Sequence, residues 1–144
     1  DKTIRVWDLT TLKLVKTLEG HTGIVHCLAV TKGRLVSGSD DKSIRVWSLN
    51  EMKCINAMYA HENTVNSLLA TDKYLFSGSY NLVNVWSVDT FQFLTTLSGY
   101  NHWVYSMCLH DNYLYSGSHN MIKVWDLDTL KCVRTISTKG GKSL

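Results

Sequence analysis

The chain is predicted to be all-β: about three and a half four-stranded blades of a propeller. Three observations predict it. Leu35-Val36-Ser37-Gly38-Ser39 returns as Leu75-Phe76-Ser77-Gly78-Ser79 and again as Leu114-Tyr115-Ser116-Gly117-Ser118. Trp7, Trp47, Trp86 and Trp125 close successive units at steps of 40, 39 and 39 residues, and a fixed period near 40 marks a repeat architecture. Between the tryptophans, runs rich in Val, Ile, Leu, Tyr and Trp alternate with polar turns, with no proline and no sustained helical period.

The opening Asp1-Lys2-Thr3-Ile4-Arg5-Val6-Trp7 matches Asp41-Lys42-Ser43-Ile44-Arg45-Val46-Trp47, so the chain opens in mid-repeat, with strands expected at Thr3–Asp8 and Leu12–Leu18. The first full unit supplies strands at Ile24–Val30, Arg34–Ser39, Ser43–Ser48 and Lys53–Tyr59. Thr31-Lys32-Gly33, Thr71-Asp72-Lys73 and His110-Asp111-Asn112 are the short polar hairpin turns of the three units. The units divide as a half repeat at 1–19, repeats at 20–59, 60–98 and 99–137, and the start of a further repeat at 138–144. Propellers close with about four to eight blades, so three and a half do not close a ring. An open end leaves unpaired strand groups and an apolar face that invites association. Two copies would reach the strand count of seven blades, yet each spare pair comprises third and fourth strands without complementary first and second ones. The expectation is a piece of a longer protein whose remaining blades lie in the parent chain, with self-association through the open blade edges as the other outcome.

With 44% hydrophobic and 19% charged residues the chain is globular. Its net charge of +3 is too small to point to nucleic acid, and no apolar run approaches the roughly 20 residues of a membrane helix. Neither is expected as a partner. Cys27, Cys54, Cys108 and Cys132 form no CxxC pair, so no zinc site, other metal or cofactor is expected. Cys54 and Cys132 share the slot of Leu14 and Phe93, an apolar packing position. Buried reduced thiols and a cytoplasmic location follow. Lys13, Lys53 and Lys131 share a slot on the outermost strand, where lysine discourages edge-to-edge pairing. Arg5 and Arg45 are expected on blade faces, and His102 and His110 in solvated loops.

The segments ending Trp7-Asp8, Trp47-Ser48, Trp86-Ser87 and Trp125-Asp126, each after Ser-Gly-Ser where the chain extends far enough, resemble WD40 repeats, and the resemblance implies that the blades are part of a seven-bladed ring. Leu97-Ser98-Gly99-Tyr100-Asn101-His102-Trp103-Val104 and the proline-free Ser-Gly-Ser units are similar to the propeller that ends the TRAF-family RING ubiquitin ligase. The propeller of myosin heavy chain kinases is the second resemblance. The shortened turns at Tyr80-Asn81 and His119-Asn120, and the end at Gly140-Gly141, favour the ligase.

His21, Ser37, Asp41 and Trp47 invite comparison with a Ser-His-Asp hydrolase. A nucleophile needs a base within reach, an oxyanion site and a pocket, whereas these residue types recur unit by unit at positions that must pack against neighbours. The resemblance implies a structural hydrogen-bond network instead, and no catalytic residue is expected. The set is complete only in the first full unit. The second keeps His61, Ser77 and Trp86 without an Asp, because Ser79 to Trp86 is one step shorter than Ser39 to Trp47. The third keeps Ser116 and Trp125, with Tyr100 in the place of His and again no Asp, while the half unit contributes Asp1 and Trp7. Those two blades should be less rigid at the turn or use Asn81 and Asn120 as substitutes.

The resemblance also places partner contacts at three slots per unit on the loop face. In register they are Ile24, His26 and Asp40; Thr64, Asn66 and Tyr80; and Trp103, Tyr105 and His119. The third set is aromatic, as binding hot spots are. Trp103 is the one tryptophan outside the blade-closing series; it either plugs a gap between blades or serves as a hot spot. The expected function is a non-catalytic scaffold that binds a protein or peptide, as the substrate- or partner-recruiting domain of an E3 ubiquitin ligase. The alternative is the substrate-targeting propeller of a protein kinase. These residues hold neither RING zinc ligands nor a kinase phosphate loop, so neither activity is expected to reside here.

Overall fold

A computed structural model describes residues 1–137; the expected start of a further repeat at 138–144, with Gly140-Gly141, lies outside the described residues. Among them there are fourteen strands and no helix. β1 (Ile4–Trp7) and β2 (Leu14–Leu18) form a two-stranded half-blade. β3 (Val25–Thr31), β4 (Arg34–Ser39), β5 (Ser43–Ser48) and β6 (Lys53–Tyr59) form the first full blade. β7 (Ser67–Ala70), β8 (Tyr74–Gly78), β9 (Val83–Ser87) and β10 (Phe93–Leu97) form the second. β11 (Val104–His110), β12 (Tyr113–Ser118), β13 (Met121–Asp126) and β14 (Cys132–Ser137) form the third.

Every sheet is an antiparallel meander in sequence order. The innermost strands are neighbours, β3 against β7 and β7 against β11. The turn before each outermost strand explains why β2 starts at Leu14 and not at Leu12. Leu12, Met52, Phe91 and Leu130 occupy the same left-handed position, with φ of 55°, 52°, 58° and 54°. The Asp8 and Asp126 carboxylates cap two of these turns by accepting the N–H groups two and three residues on. A bulge beside the blade-ending tryptophan interrupts the pairing of β1 with β2, β5 with β6 and β13 with β14. In the second blade the irregularity falls on β10 at Phe93. Such bulges increase local twist, which a stacked blade needs.

The core lies between sheets, in three layers. Ile4, Leu18, Leu35 and Trp47 join the half-blade to the first blade. Val36, Ile44, Val46, Val65, Leu75, Trp86 and Phe91 join the first to the second. Tyr74, Phe76, Val83, Val85, Leu97, Tyr100, Val104, Leu114 and Trp125 join the second to the third. Each blade-ending tryptophan thus packs toward the preceding blade, and Trp7, with no blade described before it, is 52% exposed.

The Ser-Gly-Ser motif has a steric reason within this stacking. A Cβ on Gly38 would lie 2.5 Å from Val65 Cγ1 and 2.7 Å from Cys27 Sγ, and one on Gly78 would collide with the Ser67 hydroxyl and crowd Val104. Glycine there lets the innermost strand of the next blade approach. The thiols only partly match the expectation of buried cysteines. Cys27 is half-buried, and burial pushes its thiol up to about 12; Cys54 is also half-buried. Cys108 and Cys132 are exposed: no further described blade covers Cys108, whereas the Cys132 slot lies on the outermost strand and is open in other units as well, with Leu14 47% and Phe93 53% exposed, so it is not the apolar packing position expected. Leu109, Tyr113, Val133 and Ile136 are exposed on the same blade.

Leu75 is fully buried between the first and second blades, whereas Leu9 is 89% exposed. Leu75→Ala should lower the unfolding free energy by about 2–5 kcal/mol and Leu9→Ala should leave it within about 0.5 kcal/mol, as read by chemical denaturation.

Candidate partner-binding face and the networks beneath it

In the first blade the Trp47 indole N–H donates to Ser37 Oγ at 2.8 Å, Ser37 Oγ meets His21 Nε2 at 2.7 Å, and His21 Nδ1 meets Asp41 Oδ2 at 2.7 Å. One proton arrangement gives every donor an acceptor: the serine hydroxyl donates to Nε2, and Nδ1–H donates to the carboxylate. Asp41 also accepts the Thr22 and Ser43 backbone N–H groups and the Ser43 hydroxyl. Burial alone would raise its pKa, but these hydrogen bonds outweigh it and hold the carboxyl well below its usual range. Ser37 is fully buried and its oxygen already accepts from tryptophan, so this triad presents no accessible nucleophile.

The second blade repeats the inner half of this chain. Trp86 donates to Ser77 Oγ at 2.8 Å, and Ser77 Oγ meets His61 Nε2 at 2.7 Å. Beyond Nδ1 stands Asn84, its Nδ2 3.5 Å away and donating to the Ala60 carbonyl, its Oδ1 accepting from Thr96. Burial lowers the His61 pKa to about 4, leaving a neutral imidazole at pH 7. In the third blade Tyr100 does stand in the histidine's place: its hydroxyl meets Ser116 Oγ at 2.5 Å, and Trp125 donates to it at 2.8 Å and to Ser116 at 3.1 Å. Burial pushes the phenol up to about 12. In the half-blade Asp1 accepts from the Thr3 N–H and hydroxyl, as Asp41 does from Ser43, and pairs with Arg5 at 3.3 Å.

The expected substitutes do not serve. Asn81 and Asn120 hold left-handed turn positions, with φ of 59° and 58°, and it is Asn84 that approaches His61. Sequence reasoning missed Asn84 although a signal existed: it occupies the slot two before the tryptophan, which is basic in the other units as Arg5, Arg45 and Lys123. Arg45 is half-buried, with Nη1 3.6 Å from Cys54 Sγ and Nε buried without a hydrogen-bond partner.

Eight of the nine contact slots gather into two groups. His26 Nε2 meets Asp40 Oδ1 at 2.7 Å, and the Thr64 hydroxyl donates to the same oxygen at 2.9 Å, which ties the first blade's turn to the entry of the second. Ile24 lies beside them, its carbonyl accepting the Asp40 N–H. The second group is aromatic. Tyr80 and Trp103 share a backbone bridge, and their rings meet edge to face with centroids 5.2 Å apart. His102 has its ring centroid 5.2 Å from His119, 5.9 Å from Tyr105 and 6.2 Å from Tyr80, and its Nδ1 lies 3.1 Å from the Tyr105 hydroxyl. His102 is therefore half-buried at the centre of this group, not a solvated loop histidine. Asn66 is held through its backbone N–H to Gly78 and joins neither group. No cluster of three or more metal-ligating side chains occurs among the described residues.

A family model described as WD domain, G-beta repeat matches residues 12–48, 52–87 and 91–126. Each matched stretch carries the outermost strand of one blade and the inner three of the next, so 12–48 spans β2 to β5. No curated protein matches the chain. Among solved structures the chain is similar to the crystal structure of the computationally designed Ika8 protein, at 31% identity and a TM-score of 0.81 over 94% of this chain. It spans 43% of the length of that designed protein.

His21→Ala strips the Ser37 hydroxyl of its acceptor and Asp41 of one donor, a cost of about 2–4 kcal/mol. Tyr100→Phe should cost about 1 kcal/mol, because Trp125 keeps Ser116; equal losses in denaturation would reject this ranking. The depressed His61 pKa gives a second expectation. The unfolded chain binds the proton more readily, so the contribution of His61 is full above pH 6.5 and is lost as pH falls from 6.5 toward about 4. His61→Gln should flatten that part of the stability profile.

Proposed function

The chain belongs to the WD40 family, and on that premise we propose that it is a non-catalytic protein–protein interaction scaffold whose loop face grips a protein or peptide partner. The observation that carries this reading is the aromatic group at the junction of the second and third blades. Tyr105 is 55% exposed and Tyr80 39% exposed, while Trp103 and His102 are half-buried against them. Rigid aromatic area on a scaffold of strands supplies contact at small entropic cost. The finer proposal is that the chain is the substrate- or partner-recruiting propeller of a cytoplasmic E3 ubiquitin ligase. Its support is the resemblance of the segment from Leu97 to Val104 and the short turns at Tyr80-Asn81 and His119-Asn120. Further blades of the parent chain would cover the exposed face of β11 to β14.

The test compares partner capture and melting temperature for the parent protein carrying Trp103→Ala or Tyr105→Ala. Lost capture with an unchanged melting temperature supports the reading. A lowered melting temperature with undiminished capture by the folded fraction makes Trp103 a plug between blades and rejects it. RING-type zinc spacing upstream in the parent supports the ligase, and a kinase domain there replaces it with the substrate-targeting role.

A further inference from the structure

A cleft of about 660 Å³ opens between the connection from β6 to β7 and the β8–β9 turn. Where Asp41 stands against His21 in the first blade, the shorter turn of the second places no carboxylate against His61. The wall of the cleft includes the rings of Tyr59, Tyr80 and Phe93, together with His61, Glu62 and Asn84. Tyr59 is 87% exposed, Phe93 53% and Tyr80 39%. Three uncovered aromatic rings around one cleft offer contact area that solvent gains little from.

The charge of the wall is one-sided. The chain has 15 lysines and arginines, and none of those among the described residues lines the cleft. Glu62 supplies its one formal charge, because burial keeps His61 neutral at pH 7. We propose that the cleft is a subsite for a cationic side chain of the protein partner, arginine in preference to lysine. A guanidinium stacks on aromatic faces and presents a planar fork of donors to a carboxylate, whereas an ammonium is a compact, strongly hydrated charge. An acidic side chain would face Glu62 with no cation to offset it. The inference rests on the reading of the loop face as the partner surface, since Tyr80 belongs to both the cleft and the aromatic group.

The experiment titrates the protein with N-acetyl-arginine amide, N-acetyl-lysine amide and the neutral isostere N-acetyl-citrulline amide, read by ligand-observed NMR. The arginine probe should bind saturably, the lysine probe more weakly, and the citrulline probe roughly fivefold to thirtyfold more weakly than arginine. Glu62→Gln should weaken arginine binding several-fold, and Tyr59→Ala should do the same, both with an unchanged melting temperature because these side chains are exposed. Equal binding of the arginine and citrulline probes, or arginine binding indifferent to Glu62→Gln, would overturn the proposal. Failure of the arginine probe with Trp103-dependent partner capture intact overturns the cleft assignment alone. Arginine binding with capture indifferent to Trp103→Ala supports the cation site and rejects the loop-face reading.

Discussion

An indole N–H anchored on a buried serine hydroxyl recurs in every complete blade, at 2.8 Å for Trp47 and Ser37, 2.8 Å for Trp86 and Ser77, and 3.1 Å for Trp125 and Ser116. The bond fixes the third strand of a blade to its second and turns the indole toward the preceding blade. There the indole joins a layer that neither sheet could bury alone. A four-stranded sheet has two faces and little interior, so the stacking of neighbours supplies the core. The serine satisfies the one polar atom that such a large apolar side chain brings with it.

What completes the network differs from blade to blade, and the difference reaches the surface. In the first blade the carboxylate of Asp41 gathers the turn, the histidine and the incoming strand. Its neighbour Asp40 extends that order across the blade boundary to Thr64. In the second blade the missing residue leaves His61 beside an open cleft. In the third a phenol replaces the imidazole and closes the chain with one group fewer. A common inner architecture thereby carries three distinct outer rims.

The strands, their pairing and the blade-ending tryptophans were legible because they depend on alternation within one repeat, and each repeat restates them. Tyr100 in the histidine's place was legible for the same reason. His102, Asn84 and the exposure of Cys108 and Cys132 were not. His102 takes its environment from Tyr80 of the preceding blade, and Asn84 from Ala60 and His61 on the connection between blades. Cys108 depends on whether a neighbour covers its blade, and Cys132 on its place at the outermost strand, where Leu14 and Phe93 are exposed too. Alignment of repeats compares equivalent positions, while these properties arise from contacts between inequivalent ones.

Exposure therefore carries two meanings in this chain. Tyr113 and Ile136 are uncovered on the third blade, where a further blade stacked in the same way would bury them as the third blade buries their equivalents Tyr74 and Leu97 on the second. Tyr80 is uncovered at a rim where the third blade already stands beside the second, so stacking has acted there and left it open. Only the second kind of exposure survives ring closure. That is why the aromatic group around His102, and not the larger apolar face of the last blade, marks the surface on which recognition rests.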